Sequence, residues 1–128
     1  MNLLSNQYAD IDFKEHLDYV KITWKKSAPH DKHQAIVNQC LQALELLDCH
    51  KLLSDVRKIG VVKAWIEQEW LKDAKSKGLD EVALLVKEQT YKGILTKRSS
   101  CVEQKSGGIT NHMFRNEIIA ERWLLSAS

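Results

Sequence analysis

The five-residue run Val82-Ala-Leu-Leu-Val86 constrains this chain more than any other segment. A strand with one wet face alternates apolar and polar residues. An unbroken apolar run bounded by polar residues is covered on both faces, as in the centre of a parallel sheet. Parallel strands need crossover connections, usually helical. The neighbouring segments supply them, so the chain is expected to be an α/β protein.

The other elements follow from spacing. Tyr8–Phe13 alternates apolar and acidic residues, and Leu17–Trp24 repeats the alternation, so the two form a hairpin across Lys14–His16. Ser27 is the expected cap of a helix from about Asp31 to Asp48, with Pro29 tolerated in its first turn. Its apolar face carries Ile36, Val37, Cys40, Leu41, Leu44 and Leu47. Leu52–Asp55 is a short strand ending in a carboxylate. A turn over Val56–Gly60 leads to helical spacing from Val62 to about Lys77, with Gly78 as a left-handed stop. Tyr91–Val102 reads as a further helix. Ile109–Phe114 reads as the last strand, and Asn116–Leu125 as a closing helix with Ile118, Ile119 and Trp123 on its apolar side. The order is β-β-α-β-α-β-α-β-α: one domain over residues 1–128 with a four- to five-stranded mixed sheet, parallel at its centre and packed against helices.

Composition narrows the function classes. The 19 basic and 17 acidic side chains leave a net charge of +2, too balanced to announce a nucleic-acid partner. No apolar stretch is long enough to cross a membrane, and Met1–Tyr8 lacks the apolar core of a secretory signal, so a cytoplasmic protein is expected. Cys40 and Cys49 read as core hydrophobes too far apart along a helix to bond. His30, His33 and His50 lack metal-ligand spacing, and Gly107–Gly108 is not a phosphate-cradling loop, so neither metal nor cofactor is expected. Cys101 lies near Lys97 and Arg98 but has no evident base partner, and no catalytic motif appears.

The run Leu53-Ser-Asp55-Val-Arg57, the helix bearing Trp65 and Trp70, and Gly78-Leu-Asp-Glu-Val-Ala83-Leu-Leu-Val86 resemble the SpoIIAA-like group of STAS-type bacterial domains. So do the early strand ending at Trp24 and the tail Phe114…Ala120-Glu-Arg-Trp123-Leu124. The resemblance spans about Tyr8 to Leu125. It implies a regulatory or binding role rather than catalysis. In the related anti-sigma-factor antagonists a phosphorylatable Ser or Thr follows the strand-end Asp. Here Val56, Arg57, Lys58, Ile59 and Gly60 follow Asp55, so the phosphoserine switch is not expected.

The candidate partner or ligand surface is Asp55, Arg57, Lys58 and Trp65. Open α/β sheets bind ligands beyond the carboxyl ends of their strands, where Asp55 ends one. Arg57 can clamp a carboxylate or phosphate at two points, or it can pair with Asp55 and simply build the turn. Trp65 at the rim of the following helix would serve as an interface anchor. The expected partner is a protein. The alternative is a small apolar or carboxylated ligand between the sheet and the helix Tyr91–Val102. An isologous homodimer is the default if the chain self-associates.

Overall fold

The structure, a computed structural model, describes residues 1–59, 69–89, 103–106 and 108–126. It is an α/β fold built on one mixed sheet. The strands are β1 (Asn2–Ser5), β2 (Ala9–Lys14), β3 (Tyr19–Trp24), β4 (Lys51–Asp55), β5 (Glu81–Leu85), β6 (Glu103–Ser106) and β7 (Ile109–Phe114). The described helices are α1 (His30–Leu46), α2 (Glu69–Ser76) and α3 (Glu117–Ser126). The sheet order is β1-β2-β3-β4-β5-β7-β6. Strands β3, β4, β5 and β7 run parallel, and β1–β2, β2–β3 and β6–β7 pair antiparallel.

The parallel centre expected from Val82–Val86 is present, but the sheet has seven strands rather than four or five. The two additions are short margin strands. β1 has no alternating pattern and pairs with β2 through an irregular register between Asn2 and Leu4. β6 is polar throughout, Glu-Gln-Lys-Ser, and is held by its ladder to β7. Ile109–Phe114 forms as expected. Helix Tyr91–Val102 and the start of the helix expected from Val62 fall outside the described residues.

The turn and cap signals hold at some positions and give way to tertiary context at others. Gly78 adopts φ 104° after α2, as a left-handed stop requires. The β2–β3 turn contains no glycine; Asp18 takes the left-handed conformation there, at φ 54°. Ser27 does not cap α1. Pro29 occupies the cap position without a side-chain bond, and its carbonyl accepts from the His33 N–H. Cys49 lies beyond α1, because the helix ends at Leu46 and Asp48 turns the chain at φ 51°.

The sheet buries both faces. Ile11, Val20, Ile22, Trp24, Leu52 and Val82 meet Val37, Leu41 and Leu44 of α1, with Ala74 of α2 in the same core. On the other face Tyr19, Leu53, Ala83, Leu85 and Phe114 meet Ala120 and Leu124 of α3. Ile118 and Ile119, expected on the inner side of α3, are instead 63% and 55% exposed. The helix is apolar nearly all round, so its spacing does not single out one face.

Trp24 stacks on His33 of α1 with ring centroids 4.7 Å apart and planes 12° apart. Burial, with a smaller contribution from nearby His30, lowers the His33 pKa. The unfolded chain therefore takes up a proton that the native chain resists. The consequence is lost stability as pH falls below about 6.5, the ordinary histidine value. His33→Phe should flatten this acid limb when urea midpoints are compared between about pH 7.5 and about pH 5. An unchanged limb would assign it to other groups.

Candidate functional site

The carboxyl ends of the parallel strands finish flush. Asp55, the last residue of β4, lies opposite Thr23 of β3 and Leu85 of β5. The ladder continues past the strand ends: Val56 N–H donates to Leu85 O at 2.9 Å, and Val86 N–H to Phe114 O at 2.8 Å. α3 begins at the same edge. Asn116 Oδ1 caps it by accepting from the N–H groups of Ile118 and Ile119 at 2.9 and 3.2 Å.

Strand alternation sends Leu53 to the α3 face and Leu52 to the α1 face, and Asp55 falls on the α3 face with Leu53. The Asp55 carboxylate is buried and holds Arg57 in a fork. Arg57 Nε donates to Oδ1 at 3.0 Å and Nη2 to Oδ2 at 2.8 Å, while the backbone N–H of Arg57 donates to Oδ1 at 3.1 Å. One carboxylate thus closes the turn and fixes the guanidinium. The side chain of Arg57 remains 43% exposed, and the Asp55 bonds raise its pKa. This is the turn-building arrangement anticipated for the pair. Ser54 is fully buried, and its Oγ has no hydrogen-bond partner among the described residues.

Charged groups from four other segments gather around this turn. Lys21 pairs with Glu117, and Lys25 with Asp10 at 2.9 Å. Hydrogen bonds from Ser5 and Lys25 hold the Asp10 carboxyl below its usual range, and Lys58 contributes through its charge. The charge of Glu117 supports the cation of Arg57 on its other side. Arg115 pairs with Glu88 at 3.3 Å after β7 and β5.

Of the candidate residues, Asp55, Arg57 and Lys58 are brought together, and Trp65 falls outside the described residues, as does Cys101. Asp10, Lys21 and Glu117 were not anticipated. Their contribution depends on strand pairing that no local motif encodes. The Asp10/Asp12 alternation, which faces one side of β2, was the only available hint.

The pocket expected beside helix Tyr91–Val102 also falls outside the described residues. A described cavity of about 300 Å³ lies instead between the β1–β2 turn and α1, walled by Leu4, Tyr8, Ala35 and Ile36 with Lys32 and Gln39. Cys40 and Cys49 are buried free thiols, and burial pushes the Cys40 pKa up to about 12. His50 Nδ1 lies 2.7 Å from Gly78 O and so joins two loops. Among the described residues no three His, Cys, Asp or Glu side chains converge as a metal site, and no helix is long and apolar enough to cross a membrane. Comparison with family models, curated proteins and solved structures finds no match to this chain.

Proposed function

We propose that this chain is a non-enzymatic regulatory or protein-interaction domain of the STAS-like, SpoIIAA-like type, working in the cytoplasm through the turn after β4. The observation that carries the reading is the Asp55–Arg57 fork. It commits the carboxylate and part of the guanidinium to each other and presents a preformed turn with an exposed arginine. Preorganised surfaces lose less entropy on binding, and arginine is over-represented among residues that dominate interfaces. The turn stands beyond the carboxyl edge, where open α/β sheets recognise ligands. Val56 and Arg57 occupy the place of the antagonists' phosphorylated hydroxyl, so docking here does not need that switch.

The test is affinity purification of the tagged full chain from its native cells, with partners quantified by mass spectrometry. Arg57→Ala combined with Lys58→Glu should reduce the principal co-purifying protein at least about tenfold, the effect of removing about 1.4 kcal/mol of binding energy. Far-UV and near-UV spectra should stay native. Full retention of that partner by a folded double variant would remove this surface from consideration.

A further inference from the structure

The charge at the docking edge is unevenly distributed. Four cations there are already paired: Lys21 with Glu117, Lys25 with Asp10, Arg57 with Asp55 and Arg115 with Glu88. Lys26, Lys58 and Lys87 are exposed and form no ion pair among the described residues. Lys26 rests 5.4 Å from the Tyr8 ring centroid and donates to Gln7, contacts that leave its charge uncompensated. These three lysines follow three adjacent strands, β3, β4 and β5. Adjacent strands lie about 4.8 Å apart, so the three strand ends that carry these lysines span about 10 Å, the reach of three extended residues. The whole chain carries only +2, which makes this excess a local feature rather than a reflection of composition.

We infer that the partner presents a short acidic segment, rich in Glu or Asp, to the row Lys26–Lys58–Lys87. The inference rests on the docking reading above and names the chemistry of its partner. Asp10, Asp55 and Glu88 stand among the lysines at the same edge. A continuous phosphate backbone would meet those carboxylates at close range. A peptide can set neutral residues opposite them and acids opposite the lysines. Such complementarity acts on encounter rate and partner choice and is weakened by salt.

The probe is a fluorescein-labelled peptide of alternating Glu and Ala, titrated with the full chain and followed by anisotropy. Saturable binding that weakens as salt is raised is expected. Lys58→Glu with Lys87→Glu should raise Kd at least about tenfold. Lys14→Glu with Lys77→Glu, the same charge change at the opposite edge, should raise it less than about twofold. Equal losses in the two pairs, absence of saturable binding, or tighter binding of a single-stranded oligonucleotide or of phosphatidylserine vesicles would overturn the acidic-peptide assignment. If the peptide fails while the Arg57/Lys58 variant still releases its native partner, only the acidic chemistry falls. If the peptide binds this edge and that variant keeps its partner, the docking reading falls instead.

Discussion

Trp24→Ala is expected to destabilise the chain by about 3–5 kcal/mol, the usual cost of emptying a buried aromatic site. Trp24 is only 1% exposed, lies at the end of a central strand and stacks on His33 of α1. The substitution removes the indole from the core shared by the sheet and α1, and it leaves the imidazole without its stacking partner. Domains of this size are stable by about 5–15 kcal/mol, so the variant should lose a large part of its margin. Urea denaturation should show a much lower midpoint with an unchanged slope, the mark of lost stability rather than altered compactness. Trp24→Phe should recover part of the loss by keeping a ring against His33. If Trp24→Ala lowers the unfolding free energy by less than about 1 kcal/mol, the close packing of α1 on this face is wrong.

Asp55→Ala has the second-largest expected effect, about 2–3 kcal/mol, and it should act on recognition as well as stability. Removing the carboxylate leaves the Arg57 N–H and guanidinium without their shared acceptor. Because the arginine is 43% exposed it can turn toward water, which keeps the cost below that of a fully buried pair. Asp55→Asn retains an acceptor for the backbone N–H but loses the ionic part, and should fall between wild type and alanine. A double-mutant cycle with Arg57→Ala isolates the coupling, expected at about 1–2 kcal/mol. A coupling near zero would mean that the fork does not hold the turn. Partner retention should track the fork: in the folded Asp55→Asn protein the turn loosens, and binding weakens even though Arg57 and Lys58 are intact.

The parts of this fold that were legible in the sequence are those dictated by burial. Val82–Val86 could only be central, and Ile109–Phe114 formed as its pattern required. The margin strands were not legible, because they form through partners rather than pattern. β6 has no apolar residue, and β1 pairs through an irregular register. The inner face of α3 was legible in part: Trp123 packs against Phe114 and the core on that side, but Ile118 and Ile119 are exposed, because apolar residues surround most of the helix and packing selects Ala120 and Leu124. At the candidate site, Asp55 and Arg57 were legible because they are two residues apart and chemically matched. Lys21, Asp10 and Glu117 were not, since they reach the turn from separate strands and from a helix near the other end of the chain.

The parallel arrangement of β3, β4, β5 and β7 also has a kinetic consequence. The hairpins β2–β3 and β6–β7 are local and belong to structures that close in microseconds. The central ladders join residues far apart in the chain, Val20 to Leu52 and Glu81 to Thr110 among them, and such pairing is slow. The turn after β4 closes locally on the Asp55 carboxylate, but it is joined to the neighbouring strand only when Val56 N–H reaches Leu85 O. The turn proposed for docking therefore gains its anchor on β5 late. A partner that reads it would engage chains that have finished folding and pass over those still in progress.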